Sequence, residues 1–414
     1  MASGAIAESA SKYEQALALL PHLDPGPEAL RRAIDVRLDL SVPLSLMGKI
    51  RRLMELQLEA EPLARELGDE PTLGWIAQRL AAYGWFPGHY RDGVAQAERA
   101  LTIAEEIGDV RLQVASKYAL GMNHMALGDY RPAIEAFVDI VDGPDAPVAH
   151  EVPGMNVPVY WGSCAWLAFC LSTTGDFDRV AFYGDPTLKG PDLDPIAEAM
   201  LASFFPGQHV IKGEFAQALV LSERAVELCR TRNVPVWLAQ SFSLRGLVLA
   251  WLGRAGEALA ELERGARLYE QFGIESHRST FHWRWAEGLL LAGKVADARR
   301  LAHRAIELAV GLGEKGNEAQ ARAVLADIAC VGDGLREAAR LTHEALDACA
   351  ALGMRPAAAR CHLSLGTLYG RAGEEAPAHE HLGTAAKMFG EMRMRYWGQR
   401  TEAETRELSR QRGA

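Results

Sequence analysis

Leu127-Gly128-Asp129-Tyr130-Arg131-Pro132-Ala133-Ile134 reads as a helix end, a turn at glycine, and the start of a second helix. The chain says the same thing again and again. Lys212-Gly213-Glu214-Phe215 is one variant, and the full series runs Gly88, Gly128, Gly175, Gly213, Gly253, Gly293 and Gly373, at intervals of 40, 47, 38, 40, 40 and 80. The double interval spans an irregular turn near Gly332 and Gly334. A second series, Gly68, Gly108, Gly273, Gly313 and Gly353, ends longer helices, as in Leu67-Gly68-Asp69 and Ile107-Gly108-Asp109. Glycine adopts the left-handed backbone that closes a helix, so the two series mark alternating helix ends. A fixed period of about forty residues with two helices in each is the signature of a helical repeat array.

Between the glycines the apolar spacing is helical. Ala258, Leu259, Leu262, Ala266 and Tyr269 recur at steps of three and four, as do Ala298, Leu301, Ala305 and Leu308. Ala133, Ala218, Ala258, Ala298 and Ala378 hold equivalent places in the second helices, where a bulkier side chain would push two helix axes apart. No segment alternates with period two, so no sheet is assigned. The expected fold is all-α: a right-handed superhelical solenoid of tetratricopeptide-like helix–turn–helix repeats, with residues 1–414 as one solenoid. Two stretches break the rhythm: 142–158, with Pro144, Pro147, Pro153 and Pro158, and the Gly/Asp/Pro-rich 183–195. Residues Glu8 to Leu20 look like a second helix without its first, and a polar capping helix is expected over 396–412.

Composition narrows the function. A net charge of −10 argues against a nucleic-acid scaffold, because phosphate binding needs a basic surface. No run of apolar residues is long enough to span a bilayer, and the start Met1-Ala2-Ser3-Gly4 lacks a secretory pattern, so a cytoplasmic protein is expected. The cysteines at 164, 170, 229, 330, 349 and 361 form no C-x-x-C pair and read as small buried hydrophobes.

Several phrases resemble a known family. Ala351-Leu-Gly-Met-Arg-Pro356, Cys361-His362-Leu-Ser-Leu-Gly366-Thr-Leu-Tyr369 and Met394-Arg-Tyr-Trp397 resemble the C-terminal tetratricopeptide region of bacterial signalling proteins that carry an adenylate/guanylate cyclase domain and a P-loop ATPase. Tyr13-Glu-Gln-Ala-Leu-Ala-Leu-Leu-Pro21 and Ala33-Ile-Asp-Val-Arg-Leu38 match it too. The helical repeats of maltose-regulator-type transcription activators are similar more distantly. The resemblance implies a regulatory arm, either free-standing or the C-terminal part of a cyclase or ATP-dependent regulator, and association with a cyclase or ATPase module. Gly48-Lys49 is followed by isoleucine and lacks the glycines of a phosphate-cradling loop, so no catalytic residue carries over.

In tetratricopeptide register, certain first-helix side chains face a concave groove. They are Trp75, Gln78, Trp85, Tyr118, Met122 and Met125 in the N-terminal third, and Trp166, Phe204, Gln208, Trp251, Trp283 and Glu287 beyond it. An aromatic groove with a few polar groups suits a protein or peptide partner, with a small effector as the alternative occupant. His379-Glu380-His381 is a poor chelator, since residues two apart on a helix point to different sides. His343-Glu344 lacks the second histidine of a zinc-protease helix. The arginines at 393, 395, 400, 406, 410 and 412 are interspersed with Glu402, Glu404 and Glu407 and read as a solvated helix face. No catalytic residue, cofactor or metal is assigned. The expectation is a non-catalytic scaffold that binds its partner or effector in the groove.

Overall fold

The computed structural model describes residues 2–153, 158–185, 193–332 and 334–411. It is a helical-repeat solenoid; among the described residues the only extended pairing is an isolated bridge between Pro153 and Pro158. Helix Ala2–Leu19 opens the array and packs on helix Pro27–Leu46, with Ala10 seated beside Leu40 and Leu44. First helices then alternate with second helices, as in Glu70–Gly84 with Tyr90–Ile107, Val110–Leu127 with Tyr130–Asp142, and Arg278–Leu291 with Val295–Leu312. Helix Arg395–Gln411 closes the array.

The glycines do what their spacing predicts. Gly128 takes φ +82° and Gly108 takes φ +72°, each capping the helix before it. Aspartates follow several caps and start the next helix: Asp69 and Asp109 accept the N–H of Thr72 and Leu112 at 3.1 and 3.0 Å. The alanines at 133, 218, 258, 298 and 378 are all fully buried.

The irregular stretches are partly structured. Residues 142–158 contain a short helix, Ala146–Ala149, whose Ala149 is buried, and His150 stacks on Tyr160 at 3.8 Å. Residues 154–157 and 186–192 lie outside the described residues. The second helix preceding the latter is short, Phe177–Gly184. The next first helix is split into Pro195–Phe204 and Pro206–Lys212, because Pro206 has no N–H to continue the ladder.

The superhelix also closes on itself. The carbonyl of Phe86 accepts the N–H groups of Glu275 and Ser276 at 3.0 and 3.1 Å. Lys315 pairs with Asp129 at 3.1 Å across 186 residues, and Trp397 Nε1 donates to the Ile211 carbonyl at 2.9 Å across another 186. Between four and five repeats therefore make one superhelical turn. Tyr90 donates to the buried Glu314 at 2.6 Å, and that carboxylate also accepts from the His277 N–H at 2.7 Å, from Ser279 Oγ, and from Asn317 Nδ2 at 3.0 Å. At Gly128 a Cβ would lie 2.7 Å from the Gly316 nitrogen, so two turns meet there backbone to backbone. The accessible surface, 18416 Å², exceeds the ~15,700 Å² of a globular chain of this mass only modestly. The seam thus narrows an open groove into a partly enclosed cavity.

Candidate functional site

The forty-residue period lines up side chains in rows along the inner wall. Gln240, Thr280, Gln320 and Arg360 form one row, and Leu247, Glu287 and Asp327 another. Because the turns close, these rows face residues from the preceding turn across an enclosed space. A cavity results that admits the centres of water-sized spheres over about 130 Å³. Phe169, Phe204 and Val210 line one side; Trp251, Trp283, Met354 and Trp397 line the others. At ~10–15 Å³ for each water on this measure, the space suits a small ligand or a few peptide residues.

Four charged groups sit in this mostly apolar wall. Arg360 Nη2 donates to Glu287 and Asp327, both at 3.1 Å, and Ser364 Oγ donates to the second oxygen of Asp327 at 3.2 Å. The guanidinium carbon of Arg360 lies 4.9 Å from the Trp397 ring centre and 5.7 Å from that of Trp251. Burial alone would lower the Arg360 pKa, but its two carboxylates outweigh that and the net shift is upward. Burial pushes the Glu287 carboxyl above the ordinary 4.5, more than Arg360 pulls it down. Arg284 is different. It is buried, its Nη1 donates only to the neutral Gln240 Oε1 at 3.1 Å, and burial brings its pKa down to about 10.

A smaller chamber adjoins the first, with Phe169, Phe204, Gln240 and Arg284 lining both. Its far wall is aromatic. Trp166 packs on Phe204 with ring centres 4.9 Å apart, Phe204 on Trp237 at 5.4 Å, and Trp85 on His277 at 5.4 Å.

The structure distributes the sequence-predicted groove residues over three places. Phe204, Trp251, Trp283 and Glu287 line the larger cavity, and Trp85, Trp166 and Phe204 the smaller one. Tyr118, Met122 and Met125 are buried within the wall, where Tyr118 accepts the Trp166 indole N–H at 3.2 Å. Gln208 is buried too, Trp75 packs half-buried against the main core, and Gln78 reaches the Ala115 carbonyl at 3.4 Å. Sequence reasoning missed Arg284, Arg360, Asp327, Gln240 and Trp397. A signal existed: at the forty-residue interval Arg284 stands between Leu244 and Val324, and Arg360 follows the polar row of Gln240, Thr280 and Gln320.

Other reactive side chains are set up differently. His362 Nδ1 meets His381 Nδ1 at 2.8 Å, and His343 Nε2 meets the Tyr369 hydroxyl at 2.9 Å. Among the described residues no cluster of three His, Cys, Asp or Glu side chains has metal-binding geometry. Burial pushes the Cys330 thiol up to about 12 and raises Cys170 and Cys229 as well, away from the range of an activated thiolate. Among the described residues no helix is long and apolar enough to cross a membrane.

No family model and no curated protein matches the chain. Solved structures similar to it include tetratricopeptide-repeat proteins. The apo form of RapI is 12% identical, with 87% of this chain and 98% of that chain covered, at a TM-score of 0.49. The apo quorum sensor NprR from B. thuringiensis is also 12% identical, over 87% and 99% of the two chains, at 0.49. A Signal Transduction ATPase with Numerous Domains protein with a tetratricopeptide repeat sensor, from Pyrococcus horikoshii, is 13% identical over 89% of this chain and 55% of that one, at 0.43. At these identities no family is assigned.

Proposed function

We propose that this chain is a non-catalytic, ligand-sensing regulatory scaffold whose site is the cavity inside its closed superhelix. One observation supports the reading above the others. The cavity is walled by both superhelical turns at once, with Phe169 and Phe204 from the earlier turn and Met354 and Arg360 from the later one. An occupant therefore contacts elements that touch each other otherwise only along the seam. A ligand that binds the closed arrangement better than an open one shifts the balance between them by that difference in affinity. The change in curvature would pass to whatever partner rides on the solenoid; a cyclase, ATPase or DNA-binding module is what the sequence resemblance implies. The enclosed volume favours a short peptide or small effector over a folded partner in the cavity itself.

A thermal-shift screen of short peptides and metabolites tests this. A ligand at a hundred times its Kd stabilises by about 2.7 kcal/mol, which for a chain of this size raises the Tm by roughly 3 °C. Hits should lose their shift in Trp251→Ala and Phe204→Ala. Hits unaffected by both substitutions, or turnover of any hit by the isolated chain, would overturn the proposal.

A further inference from the structure

Arg284 lies where the two chambers meet, 6% exposed. It is the cavity's one cation whose hydrogen bonding, among the described residues, goes only to a neutral group, the Gln240 amide. Its Nε–H has no partner. Glu287 sits one turn further along the same helix and attracts it through space, but the Glu287 oxygen is engaged by Arg360. Asp327 is engaged by Arg360 as well. The aromatic faces of Trp251 and Trp397 are likewise already covered by Arg360. The cavity's carboxylates and the Trp251–Trp397 pair thus have an internal cation, while its second guanidinium, 5.4 Å from the Trp283 ring centre, hydrogen-bonds no carboxylate among the described residues. A buried charge left in that condition is costly unless an opposite charge reaches it.

The uncharged donors point the same way. The indole N–H groups of Trp283 in the larger chamber, and of Trp85 and Trp237 in the smaller, are buried without acceptors. With Arg284 Nε that makes four unpartnered N–H groups; among the described lining residues the one other unpartnered buried side-chain atom is His277 Nε2. A carboxylate is acceptor-only, with two oxygens, and pairs with a guanidinium through two parallel bonds. The remaining lining is aliphatic and aromatic, which suits an apolar body attached to a single negative charge. A phosphate dianion would need a second free cation, and Arg360 is committed.

We infer that the cavity binds a carboxylate-bearing ligand, the acid group held by Arg284 and an apolar body lying against Phe204, Trp251 and Trp283. This rests on the cavity being the ligand site. Two sources share the chemistry: a small organic acid, and the C-terminus of a short peptide.

The test uses the full chain and a neutral fluorescent dye, N-phenyl-1-naphthylamine, to report occupancy. Competitors are 3-phenylpropionate and its amide, and N-acetyl-Leu-Phe as the free acid and the C-terminal amide. At least one acid is expected to displace the dye at least thirtyfold more effectively than its own amide, and the acid that does so identifies the source. In Arg284→Gln that preference should fall below threefold; Arg284→Lys, which keeps the charge but not the fork, should retain part of it. Equal displacement by acid and amide, displacement by neither acid, or a preference that survives in Arg284→Gln would overturn the inference and leave the ligand-cavity reading standing. If the dye itself binds the wild type nowhere, or binds with no loss in Trp251→Ala, the cavity reading fails and takes this inference with it. Should Arg284→Gln lose its helical circular dichroism, the wild-type acid–amide ratios and Arg284→Lys decide alone.

Discussion

Glu314→Ala removes the acceptor at the centre of the seam. Its carboxylate is fully buried and takes hydrogen bonds from Tyr90, the His277 backbone, Ser279 and Asn317. Truncation leaves these donors facing a hole. Each unsatisfied buried group costs about 1–3 kcal/mol, but Asn317 keeps a contact at 3.1 Å with the His277 ring, so the costs do not simply add. A loss of about 3–5 kcal/mol follows, in the range for breaking a buried charged network. At ~2.1 cal/mol/K for each residue this lowers the Tm by roughly 5 °C, if the array unfolds as one unit. Urea unfolding followed by circular dichroism at the helix band and by tryptophan fluorescence measures it. Glu314→Gln, isosteric but with a donor turned toward donors, should fall in between. A Glu314→Ala protein within about 0.5 kcal/mol of wild type would show that the seam contributes nothing, and the enclosed cavity would lose its physical basis.

Other substitutions and conditions probe the same seam, core and cavity. Gly316→Val drives a Cβ into the Tyr130 hydroxyl and should open the contact between turns, raising protease sensitivity while the helix content stays near wild type. Ala258→Leu overfills a fully buried contact and should cost about 1–3 kcal/mol, read from the urea midpoint. Arg360→Met strips the cation from Glu287 and Asp327 and should destabilise by about 3–5 kcal/mol at pH 7, a cost that shrinks as acid neutralises Glu287, whose carboxyl burial already pushes up. Burial lowers the pKa values of His124, His150, His277, His282, His362 and His381. The unfolded chain then takes up protons below the ordinary 6.5 that the folded chain resists, so stability is full above that pH and falls as the pH drops through it. A flat stability profile between pH 7.5 and 5.5 would contradict this.

The repeat was legible because its punctuation is local. A glycine at φ +82° and an alanine at 0% exposure each answer to a constraint set within one repeat, and both recur at the same interval. The closure was not legible. It depends on a small rotation accumulated over more than four repeats, and its contacts, such as Trp397 to Ile211, join residues 186 apart with no motif to announce them. The site follows the same division. Trp251, Trp283 and Glu287 are visible from register alone. Arg284 and Arg360 look like surface charges until the turns close over them, and Trp397 falls in a helix whose other residues are mostly polar. Tyr118 and Met122 share the register of groove residues but pack inside the wall, because register fixes direction and not depth.

Closure of the superhelix around its cavity can be measured in solution. The amide protons of Glu275 and Ser276 report on it most directly. They lie between helices Ala255–Glu270 and Arg278–Leu291, and their acceptor is the Phe86 carbonyl on the other turn. Hydrogen–deuterium exchange resolved to these residues should find them protected to the degree of the flanking helices, and more so with ligand bound. Exchange at the rate of an unstructured turn would mean that the seam is open and that the cavity is not enclosed.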